Sequence, residues 1–221
     1  MPVDPPTKRA ATREWRTKHS HTPHEKRRRS ISAASARTRR TREQIVDALI
    51  ALIEEGVESP VTSQIARRAG VSLRTVYYHY PNIESLYGAA IQRSDATIAQ
   101  MIVSLDPQLD TNTRARLLVQ QRLAAYERMA PLRRAIYLRP EMRALRSTRD
   151  AARRFEYVLV RHASETFAGE LRHTADRYGA AQRIAAVSSF EMWQHLTVVQ
   201  RLSPAQVGRH MIISVLRELG A

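Results

Sequence analysis

The stretch GVSLRTVYYHYPN, residues 70–82, sets one arginine, three tyrosines and a histidine between a glycine and a proline. A helix closing at Pro81 would place Val76 and Tyr80 on one side. Leu73 would pair with Tyr77, Arg74 with Tyr78 and Thr75 with His79 along the others. The outward rows have the chemistry of duplex recognition. They offer one guanidinium for a guanine edge, an apolar group for a thymine methyl, and hydroxyl or imidazole groups for phosphate oxygens. The competing use of the same residues is to fill the core of a small helical module. Spacing assigns Tyr80 inward and leaves Leu73 divided between the two uses. So short a helix cannot bury every side, so Tyr77, Tyr78 and His79 are expected to face a groove.

The flanking residues supply the elements that would hold this helix. Pro60 precedes a short helix over Thr62–Ala69, with Ile65, Ala66 and Ala69 on its inner side. Gly70 makes the turn, Val71 plugs it, Ser72 caps the reading helix, and Asn82 caps the next one. Upstream, TREQ at 41–44 reads as a capping box with Thr41 as N-cap. It would open a helix carrying Ile45, Ala48, Leu49, Leu52 and Ile53 and stopping at Gly56. Two short helices joined by a glycine turn make a helix-turn-helix, whose second helix lies in the major groove.

The segment TSQIARRAGVSLRTVYYHYPNIESL resembles the helix-turn-helix of the TetR family of one-component transcriptional regulators. The resemblance rests on Gly70, Val71, Ser72, Thr75, Val76, Tyr77, Tyr80, Asn82, Glu84 and Leu86. It implies that Thr75 and Tyr77 touch the DNA backbone with His79 behind them, while Leu73, Arg74 and Tyr78 face bases. Ser63 and Gln64 would reach an adjacent base or phosphate, and Thr62 and Ser72, at the helix starts, complete the set. One position departs from the family pattern: Ile83 stands where a phosphate-binding lysine is common. Asn82 and the free amides of the following helix are expected to take that phosphate instead.

Charge is distributed unevenly. The net charge is +15; residues 1–42 carry 13 basic and three acidic residues, and residues 43–93 carry four arginines and six acids. The rest, 94–221, has 19 arginines and 12 acids. Residues 1–40, rich in Pro, Ser, Thr and Arg without apolar periodicity, read as a disordered basic arm. Arg37, Arg39, Arg40 and Arg42 would enter the minor groove beside the site, and Lys26–Arg29 would follow phosphates. The alternative is a solvated tail.

The composition and remaining motifs favour an all-α chain. The arm precedes a three-helix DNA-binding domain at 41–92 and a helical ligand-binding and dimerisation domain at 93–221. Zero cysteines exclude disulfides and thiolate chemistry. No apolar run is long enough to span a bilayer, and the N-terminus lacks a secretory apolar core, so a cytoplasmic location is expected. No phosphate loop or nucleophile–base pattern suggests an enzyme, no cofactor is expected, and His19, His21 and His24 make a poor metal site without supporting structure.

In the second domain, helices are expected near 112–129, 131–140, 141–171, 175–199 and 203–219. The helix over 175–199 is apolar on two sides. One side holds Ile184, Met192, Leu196 and Val199; the last helix adds Ile212, Val215, Leu216 and Leu219. Such a helix is covered either by a second chain or by a fully interior position. The family resemblance implies the former: a homodimer through the last two helices, bound to a palindromic operator of double-stranded DNA and released by a small-molecule effector. Candidate lining residues for that effector are Met101, Tyr126, Met129, Tyr137, Phe155 and Trp193. A low-specificity architectural DNA-binding protein driven by the arm is the rival reading. If the arm supplies affinity, removing residues 1–40 flattens the slope of log K against log salt while operator preference survives; an unchanged slope would show the arm to be irrelevant.

Overall fold

The computed structural model describes residues 23–139, 142 and 146–220. All regular structure among them is helical. The first elements are α1 (Pro23–Glu54), α2 (Thr62–Arg68), α3 (Leu73–His79), α4 (Ile83–Ala99) and α5 (Thr111–Tyr137). They are followed by α6 (Arg146–Thr166), α7 (Ala168–Leu171), α8 (Arg177–Val187), α9 (Phe190–Gln194), a π-helical segment (His195–Val199) and α10 (Pro204–Glu218). The chain separates into a segment ending at Gln44 and a compact body from Ile45 onward.

The expectation of a disordered arm over 1–40 needs correction. Residues 1–22 lie outside the described residues, but from Pro23 the chain is helical. Thr41 is not an N-cap: it sits inside α1, and its hydroxyl donates to the Arg37 carbonyl at 3.1 Å. The missing apolar periodicity ruled out a packed face, not a helix. Arginine, alanine, lysine and glutamate all favour helix intrinsically. The 34–40 turns are exposed throughout, as a helix without a core-facing stripe must be.

In the compact body, Ile45, Leu49 and Ile53 of α1 pack with Ile65, Val76, Tyr80, Leu86, Tyr87 and Ile91 into one buried cluster. Leu132, Ala135 and Ile136 of α5 join it, with Ala151 of α6. The head therefore has no closed core of its own, and the boundary expected at 92–93 falls inside α4. Polar contacts reinforce the joint. Arg134 pairs with Glu58 at 2.8 Å and Arg128 with Glu54 at 3.3 Å. Arg139 donates to the Ser59 hydroxyl and lies 5.4 Å from the Tyr87 ring centroid.

A second buried cluster fills the space among α4, α5, α6, α8 and α10, with Leu118, Tyr126, Leu159, Phe167, Ile184 and Val215 at its centre. Three helices differ from expectation. Pro131 does not divide α5: the bond it removes and the carbonyl its ring crowds both belong to Glu127, which is exposed to water. The long helix expected from 141 is described from Arg146 and breaks at Phe167; residues 140, 141 and 143–145 lie outside the described residues. The expected 175–199 helix breaks at Ser188, whose carbonyl accepts the Tyr126 hydroxyl at 2.5 Å. Ser189 then caps α9, accepting from the Met192 amide at 3.2 Å. A buried tyrosine has taken the carbonyl that would have continued the ladder.

Gly70 has φ +66°, and the Val71 amide closes back on the Ala66 carbonyl at 3.0 Å. A Cβ added at Gly70 meets nothing within 4 Å, so a side chain there pays only in backbone conformation. Gly70→Ala should therefore lower unfolding stability by about 1–2 kcal/mol, read from the denaturation midpoint. A neutral substitution would show that the left-handed turn is not constrained.

Candidate nucleic-acid interface

The reading helix α3 has seven residues, too few to persist alone, and is held from both ends. Ser72 Oγ accepts the Thr75 amide at 3.1 Å, and the two hydroxyls meet at 2.8 Å. Val76 and Tyr80, buried at 1% and 4% exposure, anchor its inner side. The opposite side stays outside. Leu73 is 44%, Tyr77 48% and Tyr78 79% exposed, and Arg74 is exposed beside them. Leu73, which spacing alone left open, thus faces outward. His79 is half-buried, with its ring 5.1 Å from that of Tyr78 in an edge-on arrangement. The imidazole braces the most exposed aromatic ring of the surface.

The neighbouring polar positions are partly committed to structure. Gln64 Oε1 accepts the Val61 amide at 2.9 Å and so closes the start of α2, leaving its amino group for a ligand. Thr62 is half-buried and Ser63 exposed. Asn82 caps α4: its Oδ1 accepts the Ser85 amide at 2.8 Å and its carbonyl accepts the Ser85 hydroxyl at 2.7 Å. Only its Nδ2 remains to meet a phosphate. Glu84, in the first turn of α4, opposes anion binding there.

Two of the head's four arginines are engaged in ion pairs, Arg68 with Glu55 and Arg93 with Asp47. Arg74 and Arg67 remain exposed. Arg67, at the end of α2, escaped the sequence reading because no apolar spacing marked it.

Arg37, Arg39, Arg40 and Arg42 are all exposed, on α1, and Arg39 lies 3.9 Å from Glu43. Helical backbone limits how these four could meet a minor groove: only their side chains, not the helix, would fit. A helix with side chains is about 10–12 Å across, and the B-form minor groove is about 6 Å wide.

A cleft of about 1060 Å³ opens among the end of α1, the loop after it, α4, α5, α6 and α9. Of the six residues expected to line a ligand site, Met129, Tyr137 and Trp193 do so. Tyr126 and Phe155 do not. They form an aromatic layer behind the wall, with the Tyr126 ring 5.7 Å from Phe190, 6.1 Å from Trp193 and 6.2 Å from Phe155. Met101 is half-buried and away from the lining. Among the residues expected at a chain–chain contact, Ile184, Leu196 and Val215 are buried within the protomer and face its own core. Periodicity marks an apolar stripe but not what covers it. Met192 and Val199 are exposed, and Ile212, Leu216 and Leu219 are half-buried. Val198 and Ile213, not singled out by spacing, are also exposed.

Arg74→Ala should weaken binding to a preferred duplex by about 1–3 kcal/mol and relax preference at one base pair. Gel-shift titration against variant duplexes measures both, and a uniform loss across sequences would reassign Arg74 to a phosphate.

Residues 45–90 match the model of bacterial regulatory proteins of the tetR family. The chain is 32% identical over 104 residues to the nucleoid occlusion factor SlmA of Vibrio vulnificus, covering 46% of this chain and 53% of that protein. It thus spans about half the length of the curated relatives it matches. Its fold is similar to that of a TetR-family transcriptional regulator from Mesorhizobium loti, at a TM-score of 0.63 and 23% identity over 83% of this chain and 97% of the other. The multidrug binding protein EbrR, solved with imidazole, aligns at a TM-score of 0.58 and 18% identity over 80% and 93%. With the exposed, capped α3 and the helical body behind it, these likenesses agree: residues 45–90 match the DNA-binding part of the tetR family, and the fold of the chain is similar to that of TetR-family regulators.

Proposed function

We propose that the protein is a sequence-specific repressor that binds a palindromic operator as a homodimer and leaves it when a small molecule occupies the second domain. The observation that carries this reading is the outward row Leu73, Arg74, Tyr77 and Tyr78 on a helix fixed by Ser72 and by the buried Val76. It presents one guanidinium among aromatic and apolar groups, a surface suited to matching base edges rather than to general attraction of phosphate. Chemistry of its own is not part of the reading.

Pairing of two chains follows from two-fold operator recognition, in which reading helices meet successive major grooves about 34 Å apart. Met192, Val198 and Val199, with Ile213 of α10, offer exposed apolar surface for an isologous contact. The cleft walled by Met129, Phe190 and Trp193 offers the space for an effector.

A second reading has an observation in its favour. The first 42 residues hold most of the net positive charge, and the likeness to SlmA is to a protein named for nucleoid occlusion. A protein gripping DNA mainly through those charges would coat it with little preference. Selection from random duplexes separates the two: a recovered palindrome supports the repressor, and no enrichment supports the coating protein. The dimer has its own test. Val199→Asp with Ile213→Asp should convert the sedimenting species to a monomer and reduce operator affinity at least tenfold; an unchanged dimer would place the contact elsewhere.

A further inference from the structure

Arg122, in the middle of α5, is 0% exposed. A guanidinium cannot shed its charge, and a charge taken from water needs a counter-charge or a full set of hydrogen bonds. Arg122 has neither. One terminal nitrogen donates to the Ser188 hydroxyl at 2.5 Å and the other to the Leu159 carbonyl at 2.7 Å, while Nε–H has no partner. Among the described residues no carboxylate pairs with it. The acid that feels it electrostatically, Glu156, is exposed on α6 and makes no bond to it. The other buried arginine of the same helix behaves differently: Arg114 is paired with Glu170.

Unpartnered polar atoms gather on the facing side of α6. His162 is 3% exposed, and neither ring nitrogen makes a hydrogen bond of good geometry, although the Val103 backbone lies beside it. Burial, then the Arg122 guanidinium, lowers its pKa to about 4, so the ring is neutral and keeps one N–H to give. One turn further along the same face, Thr166 Oγ1 is buried without a partner. The surroundings are otherwise apolar: Leu118, Ala125, Tyr126 and Leu159.

We infer that Arg122 and His162 form the anchoring end of a ligand site in the second domain, and that the ligand is an amphipathic monocarboxylate. A carboxylate fits the side-on edge of a guanidinium, with two parallel N–H donors, and Nε–H is one of that pair. The single unpaired cation sets the charge at one. The apolar lining sets the character of the rest of the molecule. Arg122 and His162 are not part of the cleft lining, so a ligand entering by the cleft would have to displace the aromatic layer between. Phe190 and Trp193 form the cleft wall, Tyr126 stacks behind them, and Ser188 joins the Tyr126 hydroxyl to Arg122 through its carbonyl and its hydroxyl.

The inference rests on the reading that a small molecule occupies this domain, and the experiment keeps the two apart. The full chain is melted with 10 mM benzoate, 4-phenylbutyrate or octanoate, each beside its uncharged amide. The expected result is an upward shift of about 3 °C or more with at least one acid and none with its amide. Arg122→Met should abolish that difference, and His162→Leu should reduce it, which serves if the arginine variant does not fold. Equal shifts for acid and amide, no shift for any acid, or a shift that survives both substitutions overturns the site. Operator affinity is titrated in parallel. A carboxylate that binds through Arg122 yet leaves DNA binding unchanged supports the site and removes the effector reading. Release of DNA by a ligand indifferent to Arg122 does the reverse.

Discussion

The candidate DNA-reading surface depends on a single backbone constraint, the left-handed turn at Gly70 that swings α3 away from α2. The Val71 amide, bonded to the Ala66 carbonyl, fixes where α3 starts, and Ser72 fixes its first turn. Val76 and Tyr80 then have one way to reach the core. Once they are inside, helical geometry puts Arg74, Tyr77 and Tyr78 outside. Specificity in such a module follows from packing, because the buried residues decide which residues remain for DNA. The head itself is completed by Leu132, Ala135 and Ile136 of α5. The orientation of the reading helix is therefore tied to a helix whose other half lies in the second domain.

Charge and the exposed aromatic row of α3 lie in different parts of the chain. In the head, ion pairs with Glu55 and Asp47 occupy Arg68 and Arg93, leaving Arg67 and Arg74 to face solvent. A surface so lightly charged gains little from counterion release. The exposed arginines of α1 before Ile45 are the larger reservoir of positive charge.

Much of the head was legible from sequence because its signals are local. Gly70, Ser72, Asn82 and Pro81 each act within a few residues, and Val76 with Tyr80 follows a spacing that only one helix face satisfies. The errors came where a local signal competed with something distant or absent. Thr41 looks like a cap, but α1 continues through it because the arginine- and alanine-rich turns before it form helix without needing a core. The stretch around Ser188 looks like uninterrupted helix. It breaks because Tyr126, 62 residues earlier, takes its carbonyl. Ile184 and Val215 carry the pattern of an exposed apolar seam and are covered by their own chain. Burial by a distant helix leaves no trace in the spacing of the helix it covers, and the same holds for Arg122, which reads from sequence as one more surface arginine.

Arg122 and the head share α5, and that links the inferred site to the DNA. Between Arg122 and the head cluster the helix carries Met129 on the cleft wall, Pro131, and then Leu132 inside the head. A ligand acts at a distance only by preferring one arrangement of the protein over another. Neutralising Arg122 removes the electrostatic penalty of holding α5, α6 and Ser188 around a bare guanidinium, so it favours the arrangement in which they close on the ligand. The Arg128–Glu54 and Arg134–Glu58 pairs tie the same helix to the end of α1. Any displacement of α5 must either carry the head with it or break those contacts. Because such coupling is reciprocal, DNA that holds the head in one orientation must weaken the acid's binding by the same factor by which the acid weakens DNA binding.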